Sequence, residues 1–181
     1  LISTMKKILF AGALTLAALQ LNAEESKVIR ISTDQTDLIL KVGENGRLYQ
    51  TYLGEKLLHE ADVNRFSWDI HAGSDGSISQ RGWEVYSGSG NEDYFEPAVA
   101  ITHNDGNTST YLYYVSSSTS PVEGGTQTTI NLRDDKYPVD VTLHYVAYPK
   151  ENVIKTWSEI KHQEKKPIIL STYASTMLYF C

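Results

Sequence analysis

Hydrophobic and polar residues alternate through the middle of the chain, in segments separated by turn-forming residues. The segments are residues 98–102, 109–116, 127–133 and 139–147. Alternation with a period of two places successive side chains on opposite faces of a β-strand. The pattern therefore predicts four adjacent antiparallel strands, each with a buried face that needs a second layer above it.

Flanking segments supply that second layer. Further strands are predicted at 28–32, 37–42, 48–53, 66–70, 153–162 and 168–180. The segment 57–62 could form a single helical turn but is too short to predict as a helix. Turn signals recur at intervals of roughly ten to twenty residues, as in a β-sandwich. The predicted fold class is all-β, an antiparallel and supersandwich-like β-sandwich with no convincing helix after the N-terminal leader.

The N-terminus carries a leader signal. Lys6 and Lys7 follow Met5 and precede a short apolar run that ends near Ala23, which is typical of a secretory signal peptide. The run is short for the ~20 residues that a membrane span requires. We therefore assign residues 1–23 to upstream sequence and a signal-peptide helix beginning at Met5, with cleavage near Ala23.

The last residues of the sequence have the pattern of a strand. Residues 173–180 are rich in strand-forming types and should lie in a sheet, yet the sequence stops directly after them at Cys181. Domains normally end at exposed positions. Residues 24–181 are thus expected to form one sandwich domain that is incomplete at its C-terminus.

Charge and cysteine content narrow the class of protein. The 16 basic and 22 acidic residues give a net charge of −6, and loss of the two leader lysines makes it −8. Such a chain is a poor partner for nucleic acid or anionic lipid. Cys181 is the only cysteine, so no internal disulfide forms. We expect a periplasmic or secreted protein with no nucleic-acid partner and no membrane association once the signal is removed.

Common catalytic and metal motifs are missing from the sequence. There is no phosphate-binding loop, no Gly-x-Ser-x-Gly elbow and no His-Glu-x-x-His pair. The five histidines are scattered, so we interpret each as a surface or strand residue and predict no metal site. Residues 104–107 lack the acidic ladder of a calcium loop and predict a hairpin turn.

Carboxylates and aromatic residues offer two weaker candidates. Glu92, Asp93 and Glu96 cluster in a glycine-rich loop, and glycoside cleavage requires paired carboxylates. A loop that caps a strand is the preferred interpretation. Five tyrosines could form a sugar-stacking platform, but alternating tyrosines in a sandwich more often pack in the core. The five tyrosines of this possible platform are Tyr111, Tyr113, Tyr114, Tyr145 and Tyr148.

The glycine-rich loop resembles a known family. Tyr86, Gly90, Asp93, Pro97 and Ala98 match the pattern Tyr-Pro-x-x-Gly-x-x-Asp-Phe-Arg-x-Pro-Ala of glycoside hydrolase family 36, the bacterial α-galactosidases. Four further segments follow the family in order: 48–56, 126–134, 139–145 and 152–154. The resemblance is to the N-terminal β-sandwich domain and spans most of the chain after the leader.

Three departures from the family pattern stand out. Ser87 replaces a Pro, Phe95 replaces an Arg, and segment 116–125 lacks the basic connection expected there. Loss of the Arg puts any polar contact made by that side chain in doubt.

The resemblance implies a division of labour. In this family the sandwich precedes a (β/α)8 barrel that carries both catalytic aspartates and needs no cofactor, so no residue of this chain is expected to be catalytic. The sandwich also helps to build oligomers and lends a loop to the rim of the active site. Here that loop would be 62–68, with Asp62, Arg65 and Trp68 as candidates at the substrate rim. The implied substrates are galactose-containing oligosaccharides, and the full-length form would be a homo-oligomer.

A second hypothesis remains open, a free-standing carbohydrate-binding sandwich. A binding module would bind galactosides by itself in a calorimetric titration, whereas a domain used only for assembly would not.

Overall fold

A computed structural model describes residues 27–65, 83–90 and 96–180. The predicted leader, the predicted strand at 66–70, Trp68 and Asp93 lie outside these ranges. The secondary-structure elements are β1 Val28–Ser32, β2 Thr36–Val42, β3 Leu48–Glu55, α1 Glu60–Arg65, β4 Trp83–Glu84, β5 Val99–Thr102, β6 Leu112–Val122, β7 Gly125–Asp134, β8 Val139–Tyr148, β9 Val153–His162 and β10 Ile169–Tyr173.

The described strands form three sheets, and all pairings between the named strands are antiparallel. Sheet 1 has the order β1-β2-β3-β4, sheet 2 has the order β6-β7-β8-β9, and a small third sheet pairs β5 with β10. The alternation of hydrophobic and polar residues decides which face of sheet 2 is buried. In β7, Ile130 and Leu132 are buried while Asn131 between them is half-buried. The predicted all-β, antiparallel sandwich is confirmed.

The inner faces of the sheets enclose a shared hydrophobic core. Its buried members come from all three sheets and from the segment after β4: Ile29, Ile31, Leu38, Leu40, Leu48, Val85, Tyr86, Ala98, Val99, Ile101, Leu112, Ile130, Leu132, Val139, Val141, Leu143, Tyr145 and Ala147. Burial of this apolar surface is the main force that holds the layers together.

The prediction that four central strands lie side by side is wrong in one respect. β6, β7 and β8 are neighbours, but β5 pairs with β10. The reason is that Ser89 lies between β5 and the start of β6. Its N–H donates to Val99 O at 2.9 Å, and its carbonyl accepts from Thr110 N at 2.9 Å. Backbone groups that would have joined the two strands are therefore already bonded.

Three element boundaries also differ from expectation. β6 continues past residue 116 to Val122, because its serines and threonines keep the backbone ladder to β7 while both faces are open to solvent. A short helix is present at Glu60–Arg65, where the sequence allowed a single helical turn at 57–62 but predicted no helix. Only the first part of 168–180 is a strand, since β10 ends at Tyr173.

Residues 104–107 form a turn that is closed by a bond from His103 N to Asn107 O at 2.8 Å. The turn joins strands of different sheets, so it is not the hairpin turn that the sequence predicts. No helix within the described ranges is long and apolar enough to cross a membrane.

Candidate functional site

One end of the sandwich gathers the turns that surround helix α1, and we call it the α1 end. It comprises the β1–β2 turn, the end of β3, α1, the β6–β7 hairpin and the β8–β9 turn. The backbone N–H of Asp34 donates to Pro149 O at 3.1 Å, and the Thr33 hydroxyl donates to Asn152 Oδ1 at 2.5 Å. These bonds fasten the first turn of sheet 1 to the last turn of sheet 2.

A partly buried ion pair fixes the start of α1. The Arg30 Nη2 donates to Asp37 Oδ2 at 2.7 Å and to Leu57 O at 2.8 Å, while Nη1 donates to Glu60 Oε2 at 3.0 Å. The N–H of Leu57 donates to the same Asp37 oxygen at 2.8 Å. Arg30 and Asp37 together therefore hold both the segment before α1 and its first residue against sheet 1, and we call them the Arg30–Asp37 bracket.

The bracket keeps its charges. The Asp37 side chain is completely buried, and burial alone would raise its pKa. Hydrogen bonds from Arg30, Ser32 and the Leu57 N–H outweigh that effect and hold the pKa of Asp37 below its ordinary value. The hydrogen bond to Asp37 likewise raises the pKa of Arg30. A carboxylate tied up in this way serves to position the chain and is not suited to acid or base chemistry.

Asp62 and Arg65 lie on helix α1, where the family resemblance implies a loop over 62–68. Val63 is buried and anchors the helix, while the Arg65 side chain is 83% exposed. Asp62 and Arg65 approach one another at 3.9 Å, the outer limit of an ion pair. Their polar groups are therefore accessible to a partner or a sugar at the α1 end. Trp68, the third rim candidate, lies outside the described residues.

The family-motif residues that the structure describes, Tyr86, Gly90 and Pro97, lie elsewhere and have structural roles. Tyr86 is buried, its hydroxyl donates to Ala174 O at 2.7 Å, and burial raises its pKa. Gly90 has φ +76°, and a Cβ there would lie 2.4 Å from Ser109 Oγ. Pro97 is half-buried just before β5. These residues shape the core and the path into β5, and the structure does not bring them together with Asp62 and Arg65.

His103 corrects the interpretation of all histidines as surface or strand residues. It lies after β5 with its side chain fully buried, and its Nδ1 is 2.7 Å from Glu164 Oε1. Tyr137 stacks on the ring at 3.6 Å between centroids. Glu164 also accepts hydrogen bonds from the backbone and side chain of Asn104. The cluster fastens three loops at the end opposite α1, and nothing in the sequence near His103 indicates a partner as distant as Glu164.

The possible tyrosine platform is not assembled. Tyr145 is buried in the core, where desolvation raises its pKa. Tyr111 and Tyr114 are instead each approached by a lysine ammonium. The interpretation of alternating tyrosines as packing residues is confirmed for Tyr145.

Sequence reasoning missed the Arg30–Asp37 bracket. The available signal was an acidic residue near the start of an apolar strand, with a basic residue on the preceding strand two positions before the residue that pairs with it. Within the described part of the chain, no three His, Cys, Asp or Glu residues come together as a metal site.

Comparison with known proteins places this fold in a family. The model of the glycosyl hydrolase family 36 N-terminal domain matches residues 46–181. No curated protein matches the sequence significantly.

Several solved structures share the fold. The α-galactosidase from Lactobacillus brevis has a TM-score of 0.70 and 17% identity, over 84% of this chain and 24% of that one. AgaA from Geobacillus stearothermophilus, solved as a variant in complex with raffinose, has a TM-score of 0.71 and 18% identity over 83% and 24%. AgaB from the same organism gives 0.67 and 19% over 84% and 24%. The chain thus spans about a quarter of the length of these structures.

Proposed function

We propose a role for this chain from one premise, namely that it belongs to the N-terminal domain family of glycosyl hydrolase family 36. On this proposal the chain is the non-catalytic β-sandwich part of an α-galactosidase-like glycoside hydrolase. The complete enzyme would hydrolyse terminal α-galactosides with retention, using two carboxylates outside this chain. The sandwich would serve assembly and would shape the entrance for the carbohydrate.

The observation that carries the entrance role is the way α1 is presented. A buried ion pair holds the start of the helix, and the exposed Arg65 and partly exposed Asp62 project from it. Binding sites work best when polar groups are held by a rigid support rather than by a mobile loop. An arginine fork and a carboxylate can bind neighbouring hydroxyl groups of a sugar.

Exposed apolar side chains support the assembly role. They concentrate on β10 and the residues after it, where Ile169 is 65% exposed, Tyr173 70% and Phe180 79%. Several exposed apolar side chains close together in the sequence favour an interaction surface. We propose that this surface packs against the catalytic part of the enzyme or against another subunit of a homo-oligomer.

Hydrolysis assays test the division of labour. The purified chain should leave p-nitrophenyl α-galactoside intact, whereas the same chain extended by its downstream coding sequence should cleave it. Cleavage by the chain alone, or an extended protein that cleaves β-galactosides and no α-galactoside, would contradict the proposal.

The entrance role has its own kinetic test in the extended enzyme. Arg65→Ala should raise KM for raffinose several-fold and leave kcat on p-nitrophenyl α-galactoside unchanged, because only the longer substrate reaches beyond the catalytic centre. Lys161→Ala, an exposed cation of β9 away from the α1 end, is the matched control. Equal effects of the two substitutions would argue against a role for α1.

Export is part of the proposal, since the basic residues and apolar run after Met5 have the form of a signal peptide. N-terminal sequencing of the protein recovered from the periplasm or medium should begin near Glu24. Retention of Met5 in a cytoplasmic product would contradict it.

A further inference from the structure

The turn between β5 and β6 contains a sequence motif that the proposed function does not use. Asn107, Thr108 and Ser109 have the form Asn-x-Ser with a middle residue other than proline, and the motif occurs once in the sequence. In exported proteins an asparagine of this kind is the acceptor for N-linked sugars where it lies on the surface. The accessibility of Asn107 therefore decides whether the motif can be used.

The turn stands clear of the sandwich. Residues 104–108 are all exposed, whereas His103 before them and Thr110 after them are buried. A Cβ added to Gly106 would meet no heavy atom within 4 Å, so the space around the turn is open. The buried pair of His103 and Glu164 holds the base of the turn. A modifying enzyme can thus approach the exposed residues from solvent without opening the fold.

Hydrogen bonds fix which end of the Asn107 side chain is available. Its Oδ1 accepts from the backbone N–H of Ser109 at 2.7 Å. A backbone N–H can only donate, so the bonded atom is the oxygen and not Nδ2. The N–H of Asn107 donates to Asp105 Oδ1 at 2.9 Å, which fixes the turn from the other side. Among the described residues, neither Asn107 Nδ2 nor the Ser109 hydroxyl has a hydrogen-bond partner.

The bond from Ser109 also suits the side chain of Asn107 to sugar transfer. A hydrogen bond accepted by an amide oxygen polarises the amide and makes the protons on its nitrogen easier to remove. In the transfer, Nδ2 forms a bond to the anomeric carbon of the sugar, and the bond from that carbon to the donor's pyrophosphate oxygen breaks. The pyrophosphate leaves with the electron pair, and Nδ2 gives up one proton to the transferase.

We propose that Asn107 is an acceptor for N-linked glycosylation, with an oligosaccharide on polyprenyl pyrophosphate as the donor. The inference rests on the export that is part of the proposed function, because this modification belongs to exported proteins. A glycan on Asn107 lies at the end of the sandwich opposite α1. It therefore leaves the proposed carbohydrate entrance at Asp62 and Arg65 open.

Glycosylation of the purified, folded chain tests the proposal. The chain is incubated with a membrane-bound bacterial oligosaccharyltransferase and a polyprenyl-pyrophosphate oligosaccharide of known mass. The intact mass should rise by one oligosaccharide, and peptide mapping should place the addition on Asn107. Asn107→Gln should abolish the rise. Ser109→Ala should abolish it as well, and this variant keeps the backbone N–H that bonds Asn107 and so preserves the turn.

Asn104→Gln is the matched control, because Asn104 is an exposed asparagine of the same turn that is followed two positions later by Gly106 and not by a hydroxyl residue. The control should be glycosylated like the wild type. The proposal is overturned if the wild-type chain stays unmodified in a reaction that glycosylates a standard acceptor peptide, or if the rise in mass persists in Asn107→Gln. The reaction does not depend on export, which N-terminal sequencing decides separately, so the two failures are distinguishable.

Discussion

Replacing Asp37 with Asn tests whether the Arg30–Asp37 bracket stabilises the α1 end. The substitution keeps the side-chain shape but removes the charge that Arg30, Ser32 and the Leu57 N–H all bind. Breaking a buried ion pair by removing one partner costs about 3–5 kcal/mol. Because Arg30 is 26% exposed and keeps a bond to Glu60, we expect a loss at or just below the lower end of that range, about 2–3 kcal/mol.

Urea unfolding followed by tryptophan fluorescence measures this loss, and the thermal midpoint should fall by about 5–10 °C. Asp140→Asn is the matched control, because Asp140 pairs with Arg133 on the surface, where the side chains are 36% and 62% exposed. A surface pair is worth about 0–1 kcal/mol. Equal losses in the two variants would refute the stabilising role of the bracket.

The same variant carries a prediction about pH. The pKa of Asp37 in the folded protein lies below the ordinary value of 3.8. Its contribution to stability is therefore fully present above that ordinary value and is lost as pH falls through the folded pKa. The difference in unfolding free energy between the wild type and Asp37→Asn should shrink as pH is lowered from 7 to about 2. A difference that stays constant over this window would mean that the charge of Asp37 is not responsible.

Three further substitutions test the structural roles of other residues by the same unfolding assay. Gly90→Ala forces a Cβ into Ser109 at a position with φ +76° and should lower the free energy of unfolding by about 2 kcal/mol or more. Gly106→Ala is its control, because φ is +90° there but the space is open, and it should cost only about 1 kcal/mol. Equal losses in the two variants would exclude the clash. Tyr86→Phe should cost about 1 kcal/mol, since Ala174 O keeps its bond from Ser158, and a loss several times larger would contradict that compensation. Glu164→Gln removes the charge from the hydrogen bonds to His103 and Asn104 and should lower the free energy of unfolding by about 2 kcal/mol. An unchanged free energy of unfolding would mean that the His103–Glu164 cluster does not stabilise the loops.

The strands were predictable where the signal is local. β7, β8 and β9 follow from period-two alternation within ten residues each, and their register follows from short turns such as Glu123-Gly124. Burial of one face is a property that each segment carries by itself. This is why the class of fold could be predicted without knowledge of the partners.

Pairing between distant segments could not be predicted in the same way. All of sheet 2 lies between β5 and β10 in the sequence. A local pattern of hydrophobic residues contains no information on which distant strand will pair with β5. The bond between His103 and Glu164 has the same origin, because two polar residues far apart in sequence share one buried site. The α1 helix was missed for another reason. Six residues are too few to form a stable helix alone, and this one is held by the burial of Val63 and by the contact of Glu60 with Arg30 of the bracket.

The two ends of the sandwich differ in a way that bears on function. At the end opposite α1, the His103–Glu164 cluster is buried and stacked under Tyr137, which leaves no room for a ligand. At the α1 end, Arg30 and Asp37 also serve as a fastening, but the helix that they hold carries the exposed side chain of Arg65. The α1 end therefore combines a fixed support with accessible polar groups, which is the reason for assigning the proposed entrance role to it and not to the His103–Glu164 cluster.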